Sequence, residues 1–255
     1  CTLTENVTGL NLTGTGAYVA DNIVKGNTTN YNFVAGNQLN LLISEIPESL
    51  DWSCSAKLAG ALSGTGHGVI ITASGVTLDL AGFTLCGDGD SGDYGVFLDG
   101  VSTNDMLKNV VIRNGSLDGF YDGINAEYCK GCRFEKLIAS DNAHYGIHLN
   151  GASGGQCDGN TVSDCTVSDN GSYGIYLNGS SSGQCDGNVI TDCIVRKNRS
   201  RGIYIYHADG NRIEGNHVSD HVGNGTTYYG IQFYQTVNNL TFRNTCVGND
   251  DNFYW

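Results

Sequence analysis

From Gly68 onward the apolar residues fall on a fixed beat. A glycine is followed by an apolar residue, a variable one and a second, mostly apolar one. The pattern is written Gly68-Val69-Ile70-Ile71, Gly95-Val96-Phe97-Leu98, Gly123-Ile124-Asn125-Ala126, Gly146-Ile147-His148-Leu149, Gly174-Ile175-Tyr176-Leu177, Gly202-Ile203-Tyr204-Ile205 and Gly230-Ile231-Gln232-Phe233. Alternation with a period of two predicts short β-strands with one face buried. The glycines are spaced 27, 28, 23, 28, 28 and 28 residues apart, an interval that signals stacked repeat units. A second strand follows in each unit, with Val162 and Val167 matching Ile190 and Val195, then Ile213 and Val218. Asn, Gly and Asp separate the strands and tolerate the left-handed backbone of sharp corners.

Short strands, corners and no helical periodicity within the repeats predict an all-β chain: a parallel β-helix of about seven or more coils, each pairing with the next about 4.8 Å away. A propeller blade needs about 40 residues or more, so that alternative falls. The β-helix is expected over 67–255. Residues 1–66 lack the clear period and are expected to form an N-terminal cap. Within them "CTLTENVTGLNLTGTGAYVADNIV" alternates as strands do, whereas "SLDWSCSAKLAGALSG" (49–64) reads as an amphipathic helix capped by Ser49 and Gly64.

The segments "GVIITASGVTLDLAGFTLCG" (68–87), "GNTVSDCTVSDN" and "GNRIEGNHVSDH" resemble coils of the right-handed parallel β-helix proteins of the pectate-lyase-like superfamily. The resemblance implies the fold but no single activity, because that superfamily holds lyases, hydrolases, epimerases, adhesins and tailspikes. The superfamily's polygalacturonases carry N-T-D, D-D, G-H-G and R-I-K in that order. Here Gly66-His67-Gly68 precedes Asp250-Asp251, Arg212-Ile213-Glu214 stands where R-I-K would, and N-T-D is missing. That site is not carried over.

Ten cysteines in a chain with 15% charged residues point to an oxidising compartment, and so to secretion or the cell surface. Nine N-x-S/T sequons agree: Asn6, Asn11, Asn27, Asn114, Asn170, Asn178, Asn198, Asn224 and Asn239. Stacking suggests coil-to-coil disulfides Cys157–Cys185 and Cys165–Cys193. Cys129-x-x-Cys132 could be a redox-active pair or half of a zinc site, but no second pair stands out for zinc, and structural disulfides are the expectation. Cys1 is either a disulfide partner or a lipid-anchored terminus. No apolar run is long enough to span a membrane, and the net charge of −13 argues against nucleic acid, anionic lipid and polyanionic glycans as partners.

Three candidate surfaces emerge. Asp88, Asp90 and Asp93 offer oxygen ligands to calcium, with Arg113 placed near them by the repeat interval, as in a lyase. Calcium is the one cofactor considered, and none is required. Tyr145, His148, Tyr173, Tyr176, Tyr204 and Tyr229 form an outward ridge for glycans or a protein partner. The last coil, ending "NDDNFYW", suggests head-to-tail self-association. His207, His217 and His221 are read as scattered surface residues. With no recognisable catalytic set, the leading expectation is a non-enzymatic, disulfide-locked rod. A secreted polysaccharide lyase or hydrolase, and a glycan-binding β-helix, are the alternatives.

Overall fold

The computed structural model describes residues 40–151, 155–180, 184–221 and 228–255 in full, and before them the backbones of strands Thr2–Thr4, Thr8–Leu12, Tyr18–Lys25, Thr29–Phe33 and Gln38–Ile43. The chain winds as a right-handed parallel β-helix. One sheet has nine parallel strands, running in chain order from Glu48–Leu50 to Asp251–Tyr254. A larger sheet forms the opposing walls, and Leu107–Lys108, Cys129–Lys130 and Cys157–Asp158 make a small third one. Among the described residues no helix is long and apolar enough to cross a membrane.

The two apolar positions of each repeat stack into interior columns. Val69, Val96, Ile124, Ile147, Ile175, Ile203 and Ile231 are fully buried, as are Leu98, Leu149, Leu177 and Ile205 in the second column. The anchoring glycines are needed for approach between coils. A Cβ on Gly146 would lie 2.8 Å from the Gly174 carbonyl oxygen, and one on Gly174 would lie 2.7 Å from that of Gly202. Buried asparagines tie the coils together at their corners. Asn142 donates both its backbone N–H and its Nδ2 to Asn170 Oδ1, and Asn170 does the same to Asn198 Oδ1.

The helix expected over 49–64 is absent. Glu48–Leu50, Ser55–Leu58 and Leu62–Ser63 are strands that pair with Val69–Ile71, Thr77–Asp79 and Leu85–Cys86. The segment is therefore a coil laid on the next one. Its Leu50, Leu58 and Leu62 fit a helical stripe, but Ala56 and Leu58 also alternate, and unpaired strand edges beside them decide the outcome.

The two disulfides are also corrected. Cys157, Cys185, Cys165 and Cys193 are free and buried. Their sulfurs contact main-chain carbonyls: Cys157 Sγ to Ala126 O at 3.0 Å, Cys185 Sγ to Leu149 O at 3.5 Å, Cys165 Sγ to Ser163 O and Cys193 Sγ to Thr191 O at 3.2 Å each. They also touch neighbouring thiols without bonding: Cys157 Sγ lies 3.6 Å from Cys129 Sγ, and Cys165 and Cys193 face each other. In-register stacking keeps Cα–Cβ bonds parallel and Cβ atoms about 4.8 Å apart, outside the roughly 3.5–4.5 Å a disulfide needs.

Asn170 and Asn198 are 0% exposed, and their amides are held in the corner ladder. Asn239 Nδ2 is likewise committed to Ala208 O. Asn170 and Asn198 are internal supports of the fold, and the half-buried Asn239 extends the ladder. Asn114 donates to Asp79, and Asn178 accepts from the Tyr176 hydroxyl. The side chains of Asn6, Asn11, Asn27 and Asn224, and the whole of Cys1, lie outside the described residues. His221 is no surface residue: it is buried and takes the asparagine's place in the ladder, accepting the Asn198 N–H at Nδ1.

Candidate active site on the nine-stranded sheet

Two rows of side chains meet on the outer face of the nine-stranded sheet, one just before each glycine, where the chain enters the strand, and the other three residues later, at the outward position of each strand. One contains Tyr94, Asp122, Tyr145, Tyr173, Arg201 and Tyr229; the other contains Phe97, Asn125, His148, Tyr176, Tyr204 and Gln232. The six residues of the expected ridge are thus brought together, but their ring faces meet one another. Tyr145 stacks on Tyr173 at 5.1 Å, His148 on Tyr176 at 5.0 Å and Tyr176 on Tyr204 at 5.2 Å, with planes within 9°. Tyr176 and Tyr204 are only 8% and 9% exposed. What such a ladder offers a ligand is ring edges and hydroxyls.

The aromatic rows are interrupted by a polar cluster. Asp122 is 1% exposed, Asn125 3% and His148 6%. Asp122 Oδ1 accepts the Tyr145 N–H at 3.0 Å and lies 3.3 Å from His144 Nδ1. Asp122 Oδ2 accepts Asn125 Nδ2 at 3.1 Å and lies 3.5 Å from His148 Nδ1. Burial pushes the Asp122 carboxyl up, but the imidazoles of His144 and His148 and the Tyr145 amide outweigh it and hold it below the usual range. It stays ionised. Three buried atoms of the cluster, His144 Nδ1, His148 Nε2 and Asn125 Oδ1, make no hydrogen bond to the protein.

His148 Nδ1 lies 3.3 Å from Asn125 Nδ2 and 3.5 Å from Asp122 Oδ2; in the tautomer whose Nδ1–H donates to the carboxylate, the unengaged Nε2 is a general base. Tyr145 supplies the complementary group. Its ring sits edge-on to His148 at 4.9 Å, and burial, followed by the neighbouring Tyr173 and Asp122, raises its phenol above the ordinary value. It therefore carries a proton at neutral pH.

Sequence reasoning found Tyr145 and His148 but missed Asp122 and His144. A signal was present: Asp122 precedes Gly123 in the position that tyrosine holds before Gly95, Gly146, Gly174 and Gly230. The other expected site is not assembled. Asp88, Asp90 and Asp93 do converge, with ligand oxygens within 4.8 Å, but Arg113 stands opposite Asp79 and pairs with it at 3.1 Å. Residue 86 faces Asp118 instead. The interval of 27 holds only between Val69 and Val96. Loops of unequal length shift it at the other walls, so one repeat interval cannot align every corner.

The model of the family described as "Periplasmic copper-binding protein (NosD)" matches residues 83–255. The chain belongs to the NosD family. No curated protein matches it. Among solved structures, this NosD-family chain is similar to the tailspike protein 2 enzymatically active domain of bacteriophage CBA120, at TM-score 0.56 and 15% identity over 86% of this chain and 41% of that one. It is also similar to the Dettilon tailspike protein, at TM-score 0.53 and 14% identity over 83% and 56%. It thus spans about half the length of these chains, and at such identities the likeness shows the fold.

Copper calls for nitrogen or sulfur donors converging on one point. Among the described residues the one convergent group of three is the all-carboxylate set Asp88, Asp90 and Asp93, which suits calcium or magnesium. His144 and His148 approach opposite oxygens of Asp122. These residues do not fit a copper centre.

The expectation of a non-enzymatic rod is corrected by these findings. The tailspike domain of this fold is enzymatically active, Cys157, Cys185, Cys165 and Cys193 are free, and a buried carboxylate–imidazole cluster sits where the sequence offered only an aromatic ridge.

Proposed function

We propose that this NosD-family chain is an exported polysaccharide-processing enzyme of the lyase class, acting at Asp122, His148 and Tyr145. The observation that carries the reading is the buried, unpartnered Nε2 of His148, whose Nδ1 faces the ionised Asp122. Hydrolysis by paired carboxylates needs one of them to be a proton donor and the other a base or nucleophile. Asp122 suits neither part, since its pKa is lowered and both oxygens are engaged.

Elimination suits the cluster better. His148 Nε2 takes the proton from the carbon beside a uronate carboxylate. That electron pair closes a carbon–carbon double bond as the glycosidic C–O bond breaks, and the Tyr145 hydroxyl protonates the departing oxygen. Asp122 steadies the imidazolium that forms. The family's description as periplasmic supports export.

The test is incubation of the purified chain with a panel of acidic and neutral polysaccharides. Ultraviolet absorbance reports the conjugated double bond, and a reducing-end assay reports any cleavage. Absorbance growing in step with new ends supports elimination. New ends without absorbance mean hydrolysis, and neither signal on any polymer sinks the reading.

A further inference from the structure

The row that holds Asp122 and Tyr145 also holds one cation, Arg201. Three strand steps separate it from Asp122, about 14 Å at the spacing of adjacent strands. The rings of Tyr173, Tyr204 and Tyr229 surround its guanidinium at 5.1, 4.6 and 5.7 Å. Nη1 donates to Tyr173 Oη at 3.1 Å and to Ser200 Oγ at 3.3 Å, and Nε donates to Gln232 Oε1. All of these partners are uncharged. In a chain of net charge −13, Arg113, Arg133, Arg212 and Arg243 each lie beside a carboxylate; no ion pair among the described residues includes Arg196, Arg199 or Arg201, and of these three Arg196 and Arg199 are exposed whereas Arg201 is half-buried between aromatic rings.

A half-buried guanidinium held in orientation by aromatic walls and neutral acceptors, with no anion beside it, is arranged to receive one. Its Nη2 edge makes no hydrogen bond to the protein among the described residues. We propose that Arg201 is a carboxylate-binding subsite, and that the chain processed at Asp122 and His148 carries a uronate about three strand steps from the reacting sugar. This rests on reading the face as a polysaccharide site and adds where the polymer lies: along the rows, parallel to the solenoid axis. Arg201 is a binding residue here, remote from the reacting bond. Planar carboxylate and sulfate ester both suit a guanidinium, and a carboxylate is the choice consistent with elimination.

Binding is measured by calorimetry with the purified chain and uronate hexasaccharides, their carboxyl-reduced counterparts and sulfated neutral hexasaccharides, at two salt concentrations. Wild type should prefer the uronate to its reduced form, and the preference should shrink with salt. Arg201→Gln should weaken uronate binding by about tenfold or more, the effect of about 1.4 kcal/mol. It should raise KM with little change in kcat, because the contact is the same in ground and transition states. Arg201→Lys should fall between them.

Equal affinity of wild type for uronate and carboxyl-reduced ligands overturns the subsite, and so does a preference for the sulfated ligand. These ligand comparisons hold even if Arg201→Gln fails to fold. A folded Arg201→Gln with unchanged affinity, in a protein whose activity still requires His148, overturns the subsite and leaves the lyase reading intact. Uronate binding without turnover on any polymer does the reverse.

Discussion

His148 Nδ1 lies 3.5 Å from Asp122 Oδ2, while its Nε2 is buried without a protein partner. One nitrogen faces the carboxylate and the other is buried and makes no hydrogen bond to the protein. Asp122→Asn should keep the fold, since the amide has the carboxylate's shape, yet lose the charge that steadies an imidazolium. Turnover should fall by about 100-fold or more, the scale of general acid–base catalysis. His148→Ala should fall at least as far. Initial rates beside melting curves separate this from unfolding, and a fully active Asp122→Asn would remove Asp122 from the mechanism.

The corner ladder should give the fold a pH dependence through His221. Burial, as the largest influence, pushes its imidazole down to about 4 from 6.5. The unfolded chain takes up the proton below about 6.5, whereas the folded chain resists until about 4. Stability is therefore complete above about 6.5, falls as the pH drops toward 4, and levels off below. The loss from this group is on the order of 3 kcal/mol. Urea midpoints between pH 7.5 and 4 would show it, and His221→Asn should flatten that slope. An equally steep slope in His221→Asn would assign it to other groups.

Gly174→Ala tests the close approach of coils. The added methyl would meet Gly202 O and Asn198 Nδ2, each at 2.7 Å, and neither can move without parting two coils. The cost should be about 1–3 kcal/mol, as for other overpacked interiors. Gly187→Ala is a useful contrast. Its Cβ would meet nothing within 4 Å, but its φ of +64° is unfavourable to alanine, so its loss comes from the backbone alone. Thermal midpoints of the two variants should fall in that order.

Because Cys157, Cys185, Cys165 and Cys193 are free thiols, a reductant should leave the melting temperature unchanged. All four should resist alkylation when native and react fully in denaturant, as buried thiols do. Mass spectrometry of the non-reduced, denatured and alkylated protein provides the count. A Cys157–Cys185 or Cys165–Cys193 bridged peptide would restore the covalent staple.

Much of the fold was legible before any coordinates. The columns headed by Val69 and Ile71 were readable because side-chain direction in a strand depends only on residue parity. The glycine before each column was readable because stacked coils repeat their contacts. The segment 49–64 was misread because Leu50, Leu58 and Leu62 satisfy two periods at once, and only the neighbouring coil's open edge chooses between them.

The site was less legible. Tyr145 and His148 were readable as members of an exposed ridge, whereas Asp122, a carboxylate in the tyrosine row, was passed over. Its meaning depended on distances to His144 and His148, which lie in the next coil 22 and 26 residues away. The same holds for Arg113, assigned to one loop by counting and found beside Asp79. By itself the sequence determined the repeat, the buried columns and the strand-corner rhythm, because these follow from local geometry and a period written into the chain. Only the tertiary structure decided which charges meet, which thiols stay apart and which nitrogen is left without a partner. Those outcomes depend on loop lengths between coils and on burial, and neither is a property of any single stretch of residues.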